Sequence, residues 1–266
     1  MTADSLLTTR DGLVTTVTIN RPDVFNALDA EVIGGIRDVV LEARRTSRVV
    51  IITGSGTKAF SAGADLKELA GMDADRAHRT MRAGQEAMRD IERSEIPVIA
   101  AVNGLALGGG FELVLAATFP VISTRAALGL PESGMGLIPG YGGTQRLPRA
   151  IGRRRATHLM LTGARLDAAC AYELGITPLP PVEPDDLLPA ARALADTIAA
   201  QGPLAVRAIL RAVDRGADST LDAGLGLETG LAALAVAGGE SSEGVAAFLE
   251  RRAPRFSDVE DADDDR

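Results

Sequence analysis

Residues 97–113 read Pro97-Val98-Ile99-Ala100-Ala101-Val102-Asn103-Gly104-Leu105-Ala106-Leu107-Gly108-Gly109-Gly110-Phe111-Glu112-Leu113. The opening run to Val102 is apolar throughout, as expected of a strand covered on both faces. The longer apolar run from Pro97 to Leu107 is too short to cross a bilayer and is broken by Asn103 and Gly104. Three glycines then lead into a helix expected from Phe111 to Ala117. Glycine lets a backbone approach a ligand closely, and a helix N-terminus offers free N–H groups with partial positive charge. That arrangement suits an oxyanion. Taken alone, a tight strand-to-helix turn with left-handed dihedrals explains the glycines better. Glu112 falls in the first helical turn, where the helix dipole favours a carboxylate whatever its role.

Working outward, Leu13 to Asn20 reads as a strand, closed by Asn20-Arg21-Pro22-Asp23. Asp29 caps a helix expected from Ala30 to Arg44, with Val32, Ile36, Val39 and Val40 on one face. Val49 to Thr53 is an apolar strand, followed by a polar loop and a long helix from about Asp73 to Arg93. Val121 to Ser123 reads as another strand. This β-α alternation argues for an α/β domain with parallel strands. After Pro189 the pattern changes to successive helices at 190–200, 203–215, 219–237 and 241–252. Leu225, Leu227, Leu231, Leu234 and Val236 give that region more apolar surface than a lone helix can bury, which points to packing between subunits.

The 266 residues carry a net charge of −8 and no basic cluster interleaved with aromatics. A nucleic-acid partner, bound through cationic neutralisation of phosphates, is therefore not expected. The single cysteine, Cys170, excludes an intrachain disulfide and reads as a small buried hydrophobe in a helix. His78 and His158 stand apart from any metal-ligand spacing and read as helix-surface or packing residues. No signal-peptide pattern is seen in Met1-Thr2-Ala3-Asp4-Ser5, so a reduced cytoplasmic protein is the expectation, with no membrane partner. Gly54-Ser55-Gly56-Thr57-Lys58 lacks the glycine before lysine that a phosphate loop needs. Neither the dinucleotide glycine pattern nor the serine-hydrolase elbow is present.

Two further segments complete the pattern. They are Ala59-Phe60-Ser61-Ala62-Gly63-Ala64-Asp65-Leu66-Lys67 and Leu130-Pro131-Glu132-Ser133-Gly134-Met135-Gly136-Leu137-Ile138-Pro139-Gly140-Tyr141-Gly142-Gly143-Thr144-Gln145-Arg146. Glu132 alone reads as a surface turn residue. With Glu112 and the glycine turn it forms a candidate acid/base pair for enolate chemistry.

These three linked segments resemble the crotonase superfamily, the enoyl-CoA hydratase/isomerase fold. The likeness runs from Asn20-Arg21-Pro22 to the segment Glu243–Arg252. It implies a crotonase-like spiral of ββα units over residues 1–200. A C-terminal helical region, 201–257, would then build homotrimers that pair into hexamers. Residues 258–266 form an acidic tail expected to be disordered.

The resemblance further implies an oxyanion hole from the backbone N–H groups of Ala64 and Gly109. Glu112 and Glu132 would be the catalytic pair of a hydratase acting on an acyl-CoA thioester, with coenzyme A as part of the substrate and no separate cofactor. CoA and substrate contacts are expected from Ala62, Ala64, Asp65, Leu66, Lys67 and Gly109. Gly140 would contribute a backbone contact near the water, and Phe248 and Arg251 would reach the adenine. Residues 72–88 would shape the far wall of the acyl pocket. The alternatives are a Δ3-Δ2 enoyl-CoA isomerase, a dehydratase of a functionalised acyl-CoA, or a non-catalytic acyl-CoA- or RNA-binding member. Two departures from the family pattern stand out. Ala117-Thr118 replaces a pair ending in Asp, and residues 174–182 are Pro-rich, with Pro120 requiring a strand start or edge.

Overall fold

The computed structural model describes residues 4–256. The acidic segment 258–266 lies outside them. The chain divides into two units, residues 1–195 and 196–266.

The first unit opens with a hairpin, β1 (Leu6–Asp11) and β2 (Val14–Ile19), whose strands pair antiparallel. β1 escapes the sequence pattern because it is mostly exposed and polar. Helix α1 (Ala30–Ala43) begins where the Asp29 carboxylate accepts from the Val32 N–H, the cap expected from sequence. Next come β3 (Val49–Gly54), β4 (Ala59–Ser61), the short α2 (Leu66–Leu69) and α3 (Ala74–Glu92). The segment expected to be a polar loop thus holds a strand and a helical turn. A three-residue strand is too short for periodicity to register.

The chain continues through β5 (Val98–Val102), β6 (Leu105–Leu107), α4 (Gly109–Ala116), β7 (Phe119–Ile122) and β8 (Ala127–Gly129). A 3-10 turn, Glu132–Met135, leads to α5 (Gly143–Ile151), α6 (Arg153–Thr162), β9 (Arg165–Asp167), α7 (Ala168–Glu173) and α8 (Leu187–Ala199). One sheet has the order β1-β2-β3-β5-β7 and the other β4-β6-β8-β9. Successive strands therefore alternate between sheets: β3, β5 and β7 lie in the first, and β4, β6 and β8 in the second. Each pair leads onward to helical structure, which is the ββα spiral. The β2-β3-β5-β7 ladder is parallel, and every residue of β3 and β5 is buried. Val17, Ile52, Val102, Phe60, Phe111 and Leu128 belong to one continuous core.

Pro120 lies on β7, the terminal strand of its sheet, where a missing N–H costs no ladder bond. The Pro-rich segment covers that edge. The Val182 N–H donates to the Ile122 carbonyl, the Thr124 N–H donates to Val182, and the Thr177 hydroxyl donates to the Pro120 carbonyl. Cys170 departs from expectation. It is exposed, because Ala168 and Ala171 take the buried side of α7. The hydrogen bond to Asp167 holds its thiol above the usual range. His78 and His158 are exposed on α3 and α6, as expected.

The second unit contains α9 (Pro203–Ala217), α10 (Leu221–Ala237) and α11 (Gly239–Glu250). The Glu240 carboxylate accepts from the N–H groups of Leu204 and Ala205, capping α9 from α11. Ile209, Val213, Leu221, Leu234, Val236 and Leu249 are exposed. Among the described residues no single helix is long and apolar enough to cross a membrane.

Candidate active site

The glycine turn connects β6 to α4, and the helix starts at Gly109, two residues earlier than expected. The positive φ of the turn sits at Gly108, at +51°. Gly110 is required by close approach, since a Cβ there would run into the Ser61 carbonyl of β4. The turn is thereby pressed against the strand that leads into Ala64.

The Gly63–Asp65 segment is held in turn by Leu28. The Leu28 N–H donates to the Gly63 carbonyl, and the Asp65 N–H donates to the Leu28 carbonyl, both at 2.8 Å. A Cβ placed on Gly109 would lie 3.5 Å from the Ala64 nitrogen, and one on Gly63 would lie 3.3 Å from the Gly109 nitrogen. The two backbone amides predicted from sequence are therefore neighbours. Neither N–H has a hydrogen-bond partner among the described residues. Two such donors side by side, one at a helix N-terminus, form an anion-receiving pair.

Glu112 projects from the first turn of α4 and is 1% exposed. Its Oε1 accepts from the N–H of Tyr141 at 2.8 Å and of Gly143 at 2.7 Å, the latter at the start of α5. Burial pushes its carboxyl up to about 7, against the pull of these two amides; the Glu132 charge adds to the rise and Arg146 opposes it. Glu132, read in isolation as a surface residue, is buried in its 3-10 turn. Burial also raises its carboxyl. A Cβ on Gly108 would lie 3.0 Å from Glu132 Oε1, so this carboxylate reaches the glycine turn. Its Oε2 is buried with no hydrogen-bond partner among the described residues. A buried acceptor left unpaired is costly and therefore rare, so this oxygen is one that a ligand could satisfy.

Of the other residues expected here, Asp65 caps α2 and pairs with Arg21 at 3.2 Å. Ala62 donates its N–H to Phe25, while the Leu66 and Lys67 side chains are exposed on α2. The Gly140 carbonyl accepts from Gln85 on α3 at 3.0 Å. Within the 72–88 segment, Met81 lies against Gly140, whereas Met88 is buried in the core. Phe248 and Arg251 belong to the second unit; Phe248 is exposed on α11, and Arg251 caps that helix at φ +57°.

Three residues absent from the sequence expectations complete the surroundings. The Tyr141 ring is buried, and a Cβ on Gly109 would lie 3.2 Å from it. Burial pushes its phenol up to about 12. Arg146 donates to the Tyr141 carbonyl and to both carboxylate oxygens of Glu92, each at 2.9 Å. Arg146 stands in a quoted motif and Tyr141 beside its glycines, but Glu92 carries no local signal, being 54 residues away.

A model of the enoyl-CoA hydratase/isomerase family matches residues 9–259. A crotonyl-CoA hydratase of Syntrophomonas wolfei is 38% identical, over 96% of this chain and 99% of its own. A short-chain-enoyl-CoA hydratase of Clostridium acetobutylicum is 35% identical, over 95% and 97%. The crystal structure of an enoyl-CoA hydratase from Bacillus anthracis superposes with a TM-score of 0.91 at 38% identity, covering 95% and 99%. With a ββα spiral, paired amides and two buried glutamates already in place, the chain belongs to the enoyl-CoA hydratase/isomerase family.

Proposed function

We propose that the protein is an enoyl-CoA hydratase that adds water across the Cα=Cβ bond of a trans-2-enoyl-CoA to give a 3-hydroxyacyl-CoA. The observation that carries this is the pair of neighbouring, unpartnered amides of Ala64 and Gly109, next to the glycine turn that Glu132 Oε1 reaches. As the water oxygen bonds to Cβ, the π electrons move towards the thioester. The two amides receive the charge on its oxygen; removing one such donor costs roughly 3–4 kcal/mol of transition-state stabilisation. Glu112, anchored through Oε1, holds the water with its other oxygen and takes its proton. Glu132 gives its proton to Cα. A carboxyl titrating near 7 is suited to exchanging protons at neutral pH. The two protons balance, and the pair titrates as a coupled unit.

Coenzyme A enters as part of the substrate, and the reaction calls for no separate cofactor. The exposed side chains of Leu66 and Lys67 are suited to contact with it. The exposed apolar side chains of α9 to α11 support assembly into homotrimers or hexamers. The cytoplasm is the compartment proposed.

Hydration of crotonyl-CoA, followed by loss of the conjugated absorbance, tests the assignment. Glu112→Gln and Glu132→Gln should each lower turnover by several orders of magnitude while retaining acyl-CoA binding. Activity surviving both changes refutes the two-glutamate mechanism. Shift of the double bond in 3-hexenoyl-CoA without hydration of crotonyl-CoA would identify an isomerase instead.

A further inference from the structure

Glu112 is held by the N–H groups of Tyr141 and Gly143, and the carbonyl of the Tyr141–Gly142 peptide between them accepts from an ion-paired arginine. The Arg146 guanidinium forks onto both oxygens of Glu92 and donates its Nη1 to the Tyr141 carbonyl. Its own N–H donates to Gly142. Arg146 and Glu92 are 13% and 25% exposed, so solvent screens this pair less than a surface one. Arg89 also reaches Glu92 Oε2, at 3.0 Å. Helix α3 is thereby fastened to α5, and α5 to the residue that anchors Glu112 on α4.

We propose that Arg146, fixed by Glu92, is a positioning residue for Glu112. Its fork to Glu92 and its bond to Tyr141 lock the 141–143 peptides in the orientation that binds Oε1, and its charge favours the ionised carboxylate. The titratable and charged groups around Glu112 are Glu132 from the 3-10 turn, Tyr141 from the loop before α5, and Arg146 from α5. Behind Arg146 stand Glu92 and Arg89 of α3. Removing Arg146 removes a cation from this set. Removing the Glu92 charge leaves that cation uncompensated. The two changes therefore act on Glu112 in opposite directions. This role rests on the hydratase assignment, but its clearest readout does not.

The test follows the Glu112 carboxyl directly by 13C NMR titration of the full chain, with Glu112→Gln identifying its resonance. Arg146→Gln should raise the Glu112 midpoint by roughly one pH unit, and Glu92→Gln should lower it. Arg146→Lys, which keeps the charge without the fork, should stay nearer the parent. With crotonyl-CoA, Arg146→Gln should lower kcat roughly tenfold or more with KM within about threefold, as expected when an anchored group is misplaced. A midpoint unmoved in Arg146→Gln, or moved the same way in both variants, overturns the proposal. Should Arg146→Gln fail to fold, Glu92→Gln decides the matter by the direction of its shift. An inactive parent enzyme that still shows the opposed shifts would refute the hydratase assignment and leave the clamp standing.

Discussion

Glu112 shows how burying a single carboxyl makes stability depend on pH. Burial raises its carboxyl from an ordinary 4.5 to about 7, even with two amides donating to one oxygen. Below about pH 4.5 the folded and unfolded chains both hold the proton, and no charge has to be buried. Between that pH and about 7 the unfolded chain ionises while the folded one resists, so this residue makes stability fall as pH rises. The full effect is roughly 3 kcal/mol. Glu112→Gln should remove this dependence, so the variant's stability relative to the parent should rise from pH 4.5 to 7.5 in urea unfolding. A constant difference across that window would show that the carboxyl titrates normally. Ala64, Gly109, Glu112 and Glu132 can all be found in the sequence, because each stands in a motif with its neighbours. The burial of Glu132 cannot, because it depends on what packs over the 3-10 turn.

At the scale of elements, the helices and long strands announce themselves. Asp29 and Asp73 accept from the backbone where α1 and α3 begin, and the all-buried β3 and β5 appear as unbroken apolar runs. β4, β6 and β8 do not, being three residues each and stabilised by pairing with one another. That second sheet is the part of the spiral that local pattern leaves out; the likeness of the three motifs to a family supplies it. The packing of α3 against the site is equally silent. A Cβ on Gly84 of α3 would overlap the Tyr141 ring, so the tyrosine is seated only because this position is bare. Gly84→Ala should therefore destabilise the fold by about 1–3 kcal/mol through overpacking. In a Tyr141→Ala background the same change should be neutral or stabilising, since alanine favours the helix by about 1 kcal/mol. A double-mutant cycle in urea measures this coupling; additive effects would mean that the ring and the helix do not meet as described.

Across the whole molecule, the two units have different surfaces. The first holds a continuous core, with Ile138 and Leu161 left exposed outside it, whereas the second leaves Leu221, Leu234, Val236 and Phe248 each more than 70% exposed. Sedimentation at micromolar concentration should find trimers or hexamers, and a stable monomer would contradict the assembly proposed. The central claim is that paired amides and two buried carboxylates hydrate an enoyl thioester. Its most direct test is the rate of crotonyl-CoA hydration by the parent chain beside Glu112→Gln and Glu132→Gln, with acyl-CoA binding measured in all three. The account predicts rapid hydration by the parent and a loss of several orders of magnitude in each variant with binding retained. A parent that binds the thioester without hydrating it, or variants that keep its rate, would contradict the account.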